Sequence, residues 1–172
     1  MATPRACLPI VLALLLPLAA SAANLTALGD DVLYFTIKAG YNPDYTERCM
    51  DAGDDDNVIL KPCSGDAVSQ LWYISGDTIV NYNSGKCLDV CKGLSCYNFF
   101  KGATQVIVYE CNDGDNQKWS SDAAALVSAY NDDCLEMCDS SRCDPMYNAI
   151  TDACDQDDNQ QWGFNLADAP EF

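Results

Sequence analysis

The chain has 172 residues, of which 26 are Asp or Glu, nine are Lys or Arg, eleven are Cys and none is His, for a formal net charge of −17. Such an acidic chain is a poor partner for nucleic acid or anionic membranes, because both are recognised by clustered Lys and Arg. The lack of histidine excludes Ser-His and Cys-His nucleophile pairs and imidazole metal sites.

Residues 1–22 read as a secretory signal peptide. Arg5 gives a small positive start, Leu8 to Ala19 is an apolar run broken by two prolines, and Ala20-Ser21-Ala22 has the small-x-small pattern of a cleavage site. The run is shorter than the roughly 20 residues a membrane span needs. A secreted, extracellular chain without membrane insertion is therefore expected. Cleavage takes Arg5 from the nine basic residues and Cys7 from the eleven cysteines, leaving eight and ten. An even cysteine number in an oxidising compartment points to a disulfide framework rather than to thiolate zinc. No metal or cofactor is expected. The remaining length suffices for one domain with its own core, and leaves no room for a separate catalytic domain.

Residues 23–31 are expected to be a flexible leader. Asn24-Leu25-Thr26 within it is a glycosylation sequon, and its place beside the cleavage point leaves modification and non-modification equally open. Val32 to Ile37 reads as a β-branched and aromatic strand. Gly40, Asn42, Pro43 and Asp44 form a turn. Arg48-Cys49-Met50-Asp51, a short strand Val58-Ile59-Leu60 into Cys63, and Ser69-Gln70-Leu71-Trp72 follow. The pattern then recurs. Thr78 to Asn81 reads as a strand, followed by Cys87-Leu88-Asp89-Val90, a strand Gln105 to Tyr109 into Cys111, and Asn116-Gln117-Lys118-Trp119. A third unit has Ala125 to Ser128, Cys134-Leu135-Glu136-Met137, Ala149-Ile150-Thr151 into Cys154, and Asn159-Gln160-Gln161-Trp162. Leu166 to Phe172 reads as a tail.

The tryptophans that close the units are 47 and 43 residues apart. No amphipathic helix is evident. Short strands at regular spacing mean an all-β fold. Three units are too few for a propeller, so three β-units around a pseudo-threefold axis fit the count better. Their approximate spans are 32–74, 75–121 and 122–165.

A Cys-Leu-Asp-Val opening, a later Cys and a closing Asn-Gln-x-Trp in repeat two, with weaker copies of the same pattern on either side, resemble the ricin B-type lectin family over almost all of the chain after the leader. The resemblance implies an all-β, disulfide-stabilised β-trefoil of three four-stranded repeats, with six hairpins and a closed six-stranded barrel. It also implies one disulfide inside each repeat, namely Cys49–Cys63, Cys87–Cys111 and Cys134–Cys154. Cys91 with Cys96, and Cys138 with Cys143, then stand at equivalent places in repeats two and three, and local pairing is the economical solution. Trp72, Trp119 and Trp162 are expected in the core rather than stacked on a ligand. Gln70, Gln117 and Gln160 are expected to brace a turn or an acid.

Holding a hexose in water requires polar groups that replace the waters on its hydroxyls and an apolar platform for its C–H face. The resemblance assigns both to repeat two. Asp89 is the hydroxyl acceptor, Tyr109 the platform, Asn116 a donor, Gln117 the support of Asp89, and Ile107 flanks the platform. Side-chain alternation puts Ile107 and Tyr109 on one face, with Val106 and Val108 toward the core. In repeat one Lys61 replaces the platform and Ser69 the Asn. In repeat three Glu136 replaces the Asp and Asp152 the platform. Glu136 and Asp152 together, and the runs Asp54 to Asp56 and Asp155 to Asp158, invite a cation reading. The runs lack the register of a calcium loop, and solvated acidic surface explains all three better.

These readings converge on a secreted carbohydrate-binding protein of galactose or N-acetylgalactosamine type, with one working site, partnered by glycans or glycoproteins and not an enzyme. A protein-binding trefoil, such as an inhibitor or secreted effector, is the alternative. A small glycoside hydrolase using two carboxylates is a weaker one. The sequence shows no oligomer interface.

Overall fold

The structure, a computed structural model, describes residues 32–40, 47–93, 96, 103–138 and 147–168. The expected signal peptide, the leader with Asn24, and Cys143 lie outside the described residues. The β-branched and aromatic runs form twelve strands, four per repeat. Repeat one holds β1 (Tyr34–Ala39), β2 (Arg48–Ala52), β3 (Val58–Pro62) and β4 (Trp72–Ser75). Repeat two holds β5 (Thr78–Asn81), β6 (Cys87–Val90), β7 (Thr104–Tyr109) and β8 (Trp119–Asp122). Repeat three holds β9 (Ala125–Ser128), β10 (Cys134–Met137), β11 (Ala149–Asp152) and β12 (Trp162–Ala167).

Every described pairing is antiparallel. One set of hairpins is β4 with β5, β8 with β9, and the first strand with the last, β1 with β12. The other set is β2 with β3, β6 with β7, and β10 with β11. The second set forms a triangular cap. β7 pairs with β11, Asn57 bridges to Ile107, and Ile59 bridges to Asn148. Repeats are tied below the cap by single backbone bonds, Trp119 N–H to the Asp77 carbonyl and Trp162 N–H to the Ala124 carbonyl, both 2.9 Å. Six hairpins in three equivalent lobes make a β-trefoil.

The core explains why each repeat ends on Gln-x-Trp. Trp72, Trp119 and Trp162 are all buried in one hydrophobic cluster with Leu88, Leu126 and Leu135. Their indole N–H groups donate to the carbonyls of Met50, Leu88 and Leu135, at 3.1, 2.9 and 2.9 Å. A buried indole needs such a partner, because an unpaired buried donor costs about 1–3 kcal/mol. Each acceptor lies immediately before the acid position of its repeat, so the tryptophan fixes the strand that carries that acid.

Disulfides join Cys49 to Cys63, Cys87 to Cys111, Cys134 to Cys154 and Cys91 to Cys96. Cys138 is also disulfide-bonded, and its expected partner, Cys143, lies outside the described residues. Two strand limits differ from the sequence expectation. β1 starts at Tyr34 rather than Val32, and β12 runs on to Ala167, into the stretch read as a tail. The cause is mutual pairing. β1 and β12 match over six residues, from Tyr34 opposite Ala167 to Ala39 opposite Trp162, and each extends as far as its partner does.

Candidate functional site

The five residues singled out in repeat two lie on β6, on β7 and in the turn before β8. Asp89 sits on β6 directly opposite Ile107 on β7, and Cys87 lies opposite Tyr109. Period-two alternation puts Asp89, Ile107 and Tyr109 on one face. Val106 and Val108 turn the other way and are fully buried. Asp89 is only 3% exposed, whereas Tyr109 is 53% exposed. A buried carboxylate thus stands beside a solvent-facing phenol ring.

Asp89 is held from the turn. Gln117 Nε2 donates to Asp89 Oδ2 at 2.7 Å and to the Glu110 carbonyl at 2.9 Å, while Gln117 Oε1 accepts from Asn112 N–H at 2.8 Å. The Gln117 amide is wholly buried, so it is a rigid bracket rather than a ligand contact. Asn116 Nδ2 donates to the Val90 carbonyl at 3.3 Å. Asn116 also hydrogen-bonds Asp89, so its donor capacity is engaged within the chain. Gly114 shapes this turn. A Cβ there would come within 2.6 Å of Asn116 Oδ1 and 2.7 Å of Asn112 Oδ1.

Burial raises the pKa of Asp89 above its ordinary value of 3.8, while hydrogen bonds from Gln117 and Asn116 and the charge of Lys92 oppose the rise. A carboxylate offers about four lone-pair sites, and Gln117 and Asn116 take two. The arrangement can accept two hydroxyl hydrogens at Asp89 while an apolar ring face rests on Tyr109 and Ile107.

The other repeats share the bracket but not the site. Gln70 and Gln160 donate to Asp51 and Glu136 at 3.2 and 2.9 Å. In repeat one, Lys61 reaches Asp51 Oδ1 at 2.7 Å and Ser69 Oγ donates to Asp51 Oδ2 at 3.0 Å. The acid is consumed internally. In repeat three, Glu136 is buried opposite Ile150, and Asp152 lies opposite Cys134 with its carboxylate capping the Ala153 N–H at 2.8 Å. Those two carboxylates therefore sit at different registers rather than facing each other. The acidic runs are turn caps. Asp55 accepts from Asn57, and Asp155 accepts from the Asp157 N–H.

Three contributors escape a repeat-by-repeat reading. The repeat-one loop packs on β7, with the Asp56 carbonyl accepting from Val108 N–H at 2.8 Å and Asn57 Oδ1 accepting from Gln105 Nε2. Lys86, just before β6, pairs with Asp56 at 2.6 Å. Lys92 stands over the Tyr130 ring of repeat three, 4.2 Å from its centroid. The only signals for these in the sequence are a lone lysine after Cys91 and an Asp-Asn pair in a turn, which do not reveal partners.

Three four-stranded lobes, each closed by a buried Gln-x-Trp tryptophan and each presenting a Gln-braced acid, define a β-trefoil of the Gln-x-Trp type. The family described as "Ricin-type beta-trefoil lectin domain" matches residues 30–101 and 92–162. The chain belongs to this family. Among solved structures, a designed threefold-symmetric protein, ThreeFoil, is 25% identical with a TM-score of 0.58, covering 79% of this chain and 99% of its own. A non-toxic homologue of type II RIPs from Momordica charantia (bitter gourd), in complex with alpha-methyl-D-galactoside, is 20% identical with a TM-score of 0.60. The match covers 78% of this chain and 48% of that one. The β-trefoil lectin of the Vibrio vulnificus hemolysin/cytolysin, with N-acetyl-D-lactosamine bound, is 16% identical with a TM-score of 0.60, covering 81% and 98%. Comparison with curated proteins found no match.

Proposed function

We propose that the protein is a secreted lectin that holds a galactose or N-acetylgalactosamine residue in repeat two and does not transform it. The observation that carries this reading is the juxtaposition in β6 and β7: Asp89 is buried and braced by Gln117, on the face where Ile107 is half-buried and Tyr109 stands open to solvent. The Asp, Tyr and Asn set resembles the galactose sites of the family. Two structural relatives with bound alpha-methyl-D-galactoside and N-acetyl-D-lactosamine are consistent with that choice.

A single site is favoured because Lys61 neutralises Asp51 in repeat one, and because repeat three has no aromatic at the Tyr109 position. A hexose has about twelve non-hydrogen atoms, and about 0.3 kcal/mol per atom gives a dissociation constant near the millimolar range. Useful avidity then comes from multivalent glycans or from several copies of the chain. A glycan array probed with the wild type and Asp89→Ala side by side tests the reading. Galactoside signals that vanish in the variant support it. Signals that persist unchanged in the variant, or a wild type that binds no glycan, refute it.

A further inference from the structure

Four of the five described lysines are paired with a carboxylate. Lys38 pairs with Glu47, Lys61 with Asp51, Lys86 with Asp56 and Lys118 with Asp115. Lys92 is the exception. It is exposed, and its ammonium rests over the Tyr130 ring instead. In a chain with a net charge of −17, an ammonium without a carboxylate partner among the described residues stands out.

Its position is set from two sides. Lys92 follows Val90, whose carbonyl accepts from Asn116, and Cys91, which is bonded to Cys96 and donates its N–H to the Gln105 carbonyl at 2.9 Å. Tyr130 is anchored by the turn that carries it. Ala129 N–H donates to the carbonyl of Lys118, the residue after Gln117, at 3.0 Å. Tyr130 N–H donates to Ser128 Oγ at 3.2 Å. Lys92 and Tyr130 thus flank the turn that supplies Asn116 and Gln117. Lys92 is also near enough to Asp89 for its charge to favour the ionised acid.

Repeat one shows what a lysine does when nothing holds it back: Lys61 closes on Asp51 at 2.7 Å and removes the acceptor. In repeat two an exposed cation–π contact, comparable in strength to an exposed ion pair, keeps Lys92 on Tyr130. Asp89 keeps acceptor sites that no lysine occupies, and a cation stays at its rim. The other cation near Tyr109, Lys86, is committed to Asp56.

Accepting that Asp89 and Tyr109 hold a sugar, we infer that Lys92, seated on Tyr130, makes the site selective for glycans that carry an anionic group, a sulfate ester or a carboxylate, on or next to the sugar so held. The acidic remainder of the surface repels such glycans, so any preference for them has to be local, and Lys92 is the group placed to supply it.

The test compares lactose, 3′- and 6′-sulfolactose, and 3′- and 6′-sialyllactose by calorimetric titration. At low salt at least one sulfated or sialylated ligand should bind about three- to tenfold tighter than lactose, and the gap should close at about 1 M salt, where the screening length falls to about 3 Å. The sulfated and sialylated arms distinguish the two anion sources. Lys92→Met should abolish the gap and leave lactose within about twofold, while Lys92→Arg keeps the gap. Tyr130→Ala frees the ammonium to close on Asp89 and should weaken lactose binding as well. Equal affinity for lactose and all four anionic ligands, or a gap that survives in Lys92→Met, overturns the inference while leaving the sugar site standing, provided lactose binding is lost in Asp89→Ala. A wild type that binds none of the five overturns both.

Discussion

Lys61 holds its ammonium 2.7 Å from the Asp51 carboxylate, from the place two residues before the second repeat cysteine that Tyr109 occupies in repeat two. One substitution at that place both removes a platform and fills the acceptor beside it. Asp51 is buried, and its remaining partners are Ser69 and Gln70.

Lys61→Ala should therefore destabilise the fold without touching sugar binding. Leaving a buried carboxylate short of a partner costs about 1–3 kcal/mol, and the half-exposed lysine places the effect toward the lower end. A lowered urea midpoint with an unchanged galactoside affinity is the expected result. A stability unchanged within error would mean that Ser69 and Gln70 alone satisfy Asp51.

Sugar affinity should fall as the solution is acidified, and the decline should begin at a higher pH than an ordinary aspartate would give. Only the ionised Asp89 accepts two hydroxyl hydrogens, and burial raises its pKa above 3.8. The sign for stability is the opposite. A carboxyl whose folded pKa is raised binds its proton more tightly in the native state, so its ionisation weakens the fold as pH rises through that raised value. Asp89→Asn should thus bind poorly and yet be no less stable than the wild type at neutral pH. Titrations between pH 4 and 8, with parallel thermal melts, check both halves.

Tyr109→Ala should weaken binding by about two- to tenfold, the range of an aromatic contact. Because the ring is largely exposed, the melting temperature should hardly move. Tyr109→Trp should preserve binding. A Tyr109→Ala protein with full affinity would remove the platform from the mechanism.

The Cys91–Cys96 bridge lies directly after Asp89 and Val90 and holds the loop that carries Lys92. Replacing both cysteines by Ser should weaken sugar binding, because the rim must then be ordered on binding. A loop this short contributes about 2 kcal/mol in the chain-entropy treatment. The fold should survive on the three repeat disulfides. Circular dichroism and titration of the double variant separate the two effects.

Gly114→Ala should lower affinity by moving Asn116. The added methyl would meet the amide oxygens of both Asn112 and Asn116 below 3 Å, and the nearer amide is the one facing the site. The fold should remain intact, since these are side-chain ends that can shift. An affinity equal to the wild type would show that Asn116 makes no contact with the ligand.

Much of this molecule was legible before any coordinates. The spacing of Trp72, Trp119 and Trp162 and the recurring cysteine pairs declare three equivalent lobes, because a repeat that must bury one indole against one strand carries that demand in its own residues. The same locality explains why Asp89, Ile107, Tyr109, Asn116 and Gln117 were readable together: they belong to one hairpin and the turn after it, and alternation assigns their faces. What alternation does not reveal is where a long, flexible side chain ends. Whether Lys61 points to water or closes on Asp51 is decided by side-chain reach within one hairpin, whereas whether Lys92 quenches Asp89 or rests on Tyr130, and how the repeat-one loop reaches β7, depend on residues from different lobes meeting. Only closure of the trefoil, which brings β1 to β12 and β7 to β11, creates those meetings.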